Sequence, residues 1–217
     1  MNKVVSLEKV RPLLKDGMSI MIGGFLASGT PEKMIDLLVE TNVKNLTIIS
    51  NDTSYVDKGV GRLIVNGQVK KVIASHIGTN AETGRLMTEG KIEVELVPQG
   101  TLVERIRAGG AGLGGVLTPT GVNTIVEDGK QKLNIEGEEY LLELPIKADL
   151  ALIYASEADE TGNSVYFGTT RNFNPTMATA GKVVILQAEK IVKVSELDPN
   201  NIVTPGVLID YIIGEAN

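Results

Sequence analysis

Along the first hundred residues four short apolar runs return at intervals: Ser19–Ile22, Leu46–Ser50, Val69–Ser75 and Ile92–Val97. Each stops in glycine or polar residues. Helix signals lie among them. Met34, Leu37, Leu38 and Thr41 recur at helical spacing behind Thr30 as N-cap and Pro31 at the first helical position. Asn80 opens a second helix, and Leu102–Ala108 reads as a third. Strands that alternate with helices pair in parallel, and a parallel sheet must be covered on both faces. The expected fold class is therefore α/β, a mostly parallel sheet with helices on both faces.

The rest of the chain extends this pattern and interrupts it once. Ser6–Leu14 reads as an amphipathic helical segment with Ser6 as N-cap, stopping at Asp16-Gly17. Between Gln131 and Leu144, short β-rich pieces around Glu136-Gly137 predict a β-hairpin inserted in the α/β order. Leu150–Tyr154, Val183–Leu186 and Val207–Ile213 supply further strands, with a short helix opening at Asn174-Pro175. No repeat, low-complexity tract or linker divides the 217 residues, so a single unit over 1–217 is expected.

Composition removes whole classes of chemistry. With no cysteine there is no thiol nucleophile, thiolate metal site or disulfide, which fits a reducing cytoplasm. His76 is the single histidine, so no metal site is expected and any Ser-His-Asp scheme must run through that ring. Acidic residues outnumber basic ones 27 to 21, with no basic stripe for a nucleic acid. The longest uncharged run, Ala108–Val126, carries six glycines and Pro119; it reads as loop and buried turn, not as a membrane span. The amino terminus lacks the apolar stretch of a signal peptide, so a cytoplasmic location is expected.

Candidate chemistry gathers where the strands end. Gly23-Gly24-Phe25-Leu26-Ala27-Ser28-Gly29 leaves the first strand and enters a helix, a place where free amide N–H groups can meet an anion. A tight turn whose glycines relieve crowding explains the same residues. Asn51-Asp52, His76 and Pro98-Gln99-Gly100 end the next three strands, so a shared cleft is expected, although each also has a plain reading as turn or helix-start residues. Glu104, Arg105 and Arg107 read as a solvated or ion-paired face. Gly110–Gly115 matches a dinucleotide fingerprint in letters but follows a helix-like stretch instead of a strand. No nucleophile stands at a diagnostic spacing from a base.

The run Asp16-Gly17-Met18-Ser19, Ile20-Met21-Ile22, Gly23-Gly24-Phe25, three variable residues and Gly29-Thr30-Pro31 resembles the signature of the family I coenzyme A transferases at every fixed position. The resemblance continues through Ser50-Asn51-Asp52, Pro98-Gln99-Gly100-Thr101-Leu102, residues 105–112, Thr118-Pro119-Thr120-Gly121 and Arg171-Asn172-Phe173-Asn174. It covers nearly the whole chain and is greatest to the A (alpha) subunits of acetate, acetoacetate and butyrate CoA-transferases. It implies the superfamily fold shared distantly with ribose-5-phosphate and glucosamine-6-phosphate isomerases.

The resemblance also implies an activity: CoA passes from a short-chain acyl-CoA to a free carboxylate by a ping-pong route through a glutamyl-CoA thioester. The family's glutamate lies in a Ser-Glu-Asn-Gly motif of the B (beta) subunit, which this chain lacks. Half of an active site is therefore expected, completed by a B subunit in an A2B2 or higher hetero-oligomer. CoA or acyl-CoA enters as substrate, with no tightly bound cofactor. By the same resemblance Gln99 belongs to the oxyanion hole, Asn51 lies near the reacting carboxylate, and Gly23, Gly24, Phe25, Leu26, Ala27, Ser28 and Gly29 meet CoA. Leu26 stands where many members carry glycine, which narrows the acyl pocket. A non-catalytic CoA-binding subunit and a stand-alone sugar-phosphate isomerase are the alternatives.

Overall fold

Side chains of Ser19–Ile22 (β1) alternate between two apolar layers: Ile20 and Ile22 enter one and Met21 the other, all fully buried. This strand lies inside a sheet that is hydrophobic on both sides, in a computed structural model that describes residues 2–214. To one side of β1 follow β2 (Leu46–Ser50), β3 (Val69–Ala74) and β4 (Glu93–Leu96). To the other side lie β8 (Ala148–Asp159), β10 (Gly181–Val192) and β11 (Tyr211–Ile213). All these neighbours pair in parallel; only the short β9 (Ser164–Val165) runs antiparallel, against β8.

One layer packs α1 (Leu7–Val10), α2 (Glu32–Thr41) and α3 (Val60–Val65) on the sheet through Val10, Met34, Leu38 and Leu63. The opposite layer is built by α5 (Gln99–Ala111) and α6 (Asn174–Met177) through Leu102, Ile106 and Met177. Each fully buried side chain of this kind contributes about 2 kcal/mol of burial free energy. Helix α4 (Ala81–Thr88) begins where expected, the Asn80 side chain accepting the Thr83 N–H at 3.2 Å.

The expected hairpin is present and larger. Strands β6 (Lys132–Ile135) and β7 (Glu138–Glu143) turn at Glu136 and Gly137, with φ of 54° and 90°, and β5 (Val116–Thr118) adds a third antiparallel strand.

Several expectations need correction. Helix α3 carries no sequence signal, because it is six residues long and opens on Gly59 without a side-chain cap. Ser6 occupies the cap position of α1 without making the cap hydrogen bond. Helix α2 starts one residue late, with Pro31 at the cap, and Gln187 on β10 caps it from outside by accepting the Lys33 N–H at 2.9 Å. Strands β8 and β10 outrun the predicted Leu150–Tyr154 and Val183–Leu186. Their polar residues Glu157, Asp159 and Lys190 hide the pairing that continues to Asp159 and Val192. The predicted strand Val207–Ile213 shortens to β11, preceded by a 3-10 turn at Gly206–Leu208. The glycine-rich stretch after α5 is not a buried turn: none of residues 110–126 is buried. No described helix is long and apolar enough to cross a membrane.

Candidate active site

Because β1 to β4 lie side by side and run in parallel, the residues that follow them emerge on one edge. Phe25 and Leu26 come from β1, Asn51 and Asp52 from β2, and Ser75, His76 and Thr79 from β3. With Gln99, the first residue of α5, they line a cavity of about 220 Å³. The expected shared cleft is thus assembled.

Asn51 forms its floor and is 1% exposed. Its Oδ1 accepts from Gln99 Nε2 at 2.8 Å and lies 3.2 Å from Ser75 Oγ, while the Ser75 hydroxyl donates to the Asn51 carbonyl at 2.7 Å. Among the described residues nothing accepts from Asn51 Nδ2. The acceptor end of this amide is held by protein, and its donor end is left for an incoming group. Gln99 is exposed at the mouth of the cavity, tied to the floor through Asn51.

Asp52 has a different task. Its Oδ2 accepts the Leu26 N–H at 3.0 Å and its Oδ1 the Ser54 N–H at 2.7 Å, in a side chain that is almost wholly buried. Leu26 and Ser54 both have left-handed backbone, φ of 47° and 54°. That conformation costs a non-glycine residue about 1–2 kcal/mol. Charge-assisted hydrogen bonds to the carboxylate offset it. Asp52 therefore staples two loops together. His76 is exposed, and its ring makes no hydrogen bond among the described residues. With Ser75 Oγ committed to Asn51, no Ser-His-Asp relay assembles.

The glycine loop corrects one expectation. Its amides are mostly not free: Gly23 N–H goes to Leu152 O, Gly24 N–H to Asn172 Oδ1, Leu26 N–H to Asp52, and Phe25 and Ser28 exchange two bonds of 3.0 and 2.9 Å. Only the Ala27 and Gly29 amides lack a protein acceptor among the described residues. The close approach that the glycines permit is to the protein itself. A Cβ on Gly23 would stand 1.7 Å from Asn174 Oδ1, and one on Gly24 2.0 Å from Thr30 Oγ1. Asn172 and Asn174 fill the crevice between the loop and β8: Asn172 Nδ2 donates to Ser28 O, Asn174 Nδ2 to Gly29 O and Thr170 O, and Asn174 Oδ1 accepts from Tyr154 N. Sequence reasoning reads Asn174 only as the opening of a short helix and gives neither asparagine a place at the glycine loop, although both stand in the matched run Arg171–Asn174.

The remaining candidates are structural. Arg105 pairs with Glu95 at 2.9 Å, donates to Leu144 O at 2.8 Å and approaches the buried Glu143 at 3.8 Å, so it pins the inserted sheet to β4 and α5. Burial raises the Glu95 pKa, but hydrogen bonds from Arg105 and Lys71 outweigh it and hold the carboxyl below its ordinary value. Arg107 pairs with Glu104 at 2.6 Å. Two further hollows, of about 340 and 390 Å³, lie against the inserted sheet, and their charged walls are these ion pairs and Lys130–Glu143. Residues 110–115 end α5, with Gly112 left-handed at its C-cap, and form no nucleotide-binding turn.

Comparisons with known proteins agree with this architecture. The family model described as Coenzyme A transferase matches residues 5–215. The chain is 60% identical to the acetoacetyl-CoA:acetate/butyrate CoA transferase alpha subunit of Clostridium acetobutylicum, covering 99% of this chain and 98% of that protein. It is 54% identical to the acetate CoA-transferase subunit alpha of Escherichia coli, over 97% and 96% of the two chains. Among solved structures, the glutaconate CoA-transferase of Acidaminococcus fermentans superposes with a TM-score of 0.85 at 20% identity, over 99% of this chain and 76% of that one. An Escherichia coli acyl-CoA transferase in a thioester complex with CoA also gives 0.85, at 22% identity; this chain is fully spanned, to 99%, but makes up half (50%) of that longer chain. At such identities the structures speak for the fold alone. The family match over nearly the full length and the two close relatives establish that this chain belongs to the coenzyme A transferase family.

Proposed function

We propose that the chain is the alpha-type subunit of an enzyme that moves CoA from a short-chain acyl-CoA to acetate, butyrate or acetoacetate, and that the reacting glutamate stands on a beta-type partner. One observation carries the reading: the cavity offers hydrogen-bond donors but no free carboxylate. Among the described residues Asn51 Nδ2 has no acceptor and Gln99 stands at the mouth, while the one carboxylate lining the cavity, Asp52, is occupied on both oxygens. Such a site can stabilise charge on an oxygen but supplies no carboxylate to carry a glutamyl-type thioester.

In this scheme the partner's carboxylate attacks the thioester carbonyl, and the charge that develops on its oxygen is met by Asn51 and Gln99. A single preorganised donor is worth about 3 kcal/mol of barrier. The CoA thiolate leaves and attacks the glutamyl carbonyl of the resulting anhydride, releasing the first carboxylate and forming the glutamyl-CoA thioester. A second carboxylate reverses these steps. The loop after β1 contributes its apolar tip, Phe25 and Leu26, more than a phosphate cradle, because most of its amides are spent internally. Phe25, Tyr55, Val56 and Phe167 expose 42%, 40%, 47% and 61% of their surface along the same edge, which suits cover by the partner in an A2B2 or higher assembly. A cytoplasmic location is part of this reading.

The test is reconstitution. The purified chain alone transfers no CoA, and addition of a beta-type subunit restores transfer. Acyl-CoA followed by borohydride, which reduces a glutamyl thioester, inactivates the complex and modifies a glutamate of the partner only. Turnover by the isolated chain, or a modified residue within it, would overturn the division of labour.

A further inference from the structure

The accessible wall of the cavity is mostly apolar. Of its lining residues Phe25 and Leu26 alone carry pure hydrocarbon side chains, beside Asn51, Asp52, Ser75, His76, Thr79 and Gln99. Phe25 is 42% exposed, whereas Leu26 is half-buried.

Leu26 is also held in place with unusual firmness. Leu26 and Ala27 are the two central residues of a tight turn closed by the paired hydrogen bonds between Phe25 and Ser28, and both are left-handed, with φ of 47° and 70°. A turn with two left-handed central residues is the position for glycine or asparagine. Here it carries a branched aliphatic residue, whose N–H is anchored on the buried Asp52 carboxylate at 3.0 Å. Backbone strain of this kind persists where the surrounding structure over-determines it, and it is a pointer to function. What the chain gains over glycine at this position is one isobutyl group in the wall of a cavity of about 220 Å³.

We propose that Leu26 is the residue that limits the length of the acyl group, closing the cavity against chains longer than those of the short fatty acids. This rests on the transferase reading above. A hydrophobic pocket separates substrates that differ by one methylene by about 10- to 200-fold. Removing the isobutyl group should release a penalty of at least that lower size for a chain two methylenes longer.

The experiment uses the chain assembled with its beta-type partner, acetoacetyl-CoA as donor, and acetate, butyrate and hexanoate as acceptors. Leu26→Ala and Leu26→Gly are expected to raise the hexanoate-to-butyrate ratio of kcat/KM by about tenfold or more. Leu26→Phe is expected to move selectivity the other way, keeping acetate and losing butyrate. Thermal midpoints are measured on the same preparations, and Leu26→Gly should melt no lower than wild type, since glycine accepts the left-handed backbone without strain. Unchanged ratios in active complexes would overturn the proposal. So would variants that keep their midpoints and lose all three acids equally, since Leu26 would then serve the reaction itself. A wild-type complex that transfers to no acid would refute the transferase reading, and this inference with it.

Discussion

Replacing Gly23 by alanine adds one carbon that would lie 1.7 Å from Asn174 Oδ1 and 2.6 Å from its Cγ. The Gly23 backbone is not left-handed, so the substitution adds no dihedral strain and its effect is steric. A flexible side chain would swing aside cheaply; Asn174 cannot. It is fully buried and makes hydrogen bonds to Tyr154 N at 2.9 Å, Gly29 O at 3.0 Å and Thr170 O at 2.8 Å. Moving it leaves buried groups without partners, at about 1–3 kcal/mol each. Allowing for partial relaxation, the total is about 3–5 kcal/mol. For a chain of this size that lowers Tm by about 10 °C. The assay is thermal unfolding of the isolated chain by circular dichroism, with no CoA present. If the glycine existed to admit a ligand, the isolated variant would melt within about 2 °C of wild type, and the present reasoning would fail. A double-mutant cycle sharpens the test: in an Asn174→Ala background the clash is gone, and Gly23→Ala should cost at least about 1.5 kcal/mol less.

Gln99 is the first residue of α5 and follows Pro98, whose φ of −50° and ψ of 135° suit a following proline, so both Gln99→Ala and Gln99→Pro should fold. Each should slow thioester formation in the assembled enzyme, the proline variant more if the backbone N–H is the donor; equal rates for all three forms would remove Gln99 from the mechanism. At the opposite edge of the sheet, a hydrogen bond from Lys182 and two from Ser19 depress the Asp149 pKa to about 2. A depressed carboxyl pKa adds stability above its unfolded value of about 4, lost as pH falls through about 2. With the Asp149 side chain 41% exposed, solvent screening keeps this below about 1 kcal/mol. Urea unfolding between pH 5 and pH 2 should show a shallower loss for Asp149→Asn than for wild type, and parallel curves would contradict the assignment.

Local signals carried far in this chain. The buried strand Ser19–Ile22 and the turn at Glu136-Gly137 depend on residues adjacent in sequence, and both were legible there. So was the cleft: once four apolar runs are read as parallel strands, Asn51, His76 and Gln99 must emerge on one edge. Tertiary structure decided what those residues do. The partner of Gly24 N–H is Asn172, 148 positions away, and nothing near the glycine loop announces it. The loop therefore reads as open to an anion until the fold brings the 172–174 segment across β8 and uses up its amides. Asp52 likewise reads as a turn former, and becomes a staple only when the Leu26 N–H arrives from the neighbouring strand at 3.0 Å. Spacing along the chain sets which face a side chain takes. Whether its hydrogen-bonding groups remain available is set by residues distant in sequence, which only the folded chain brings within reach.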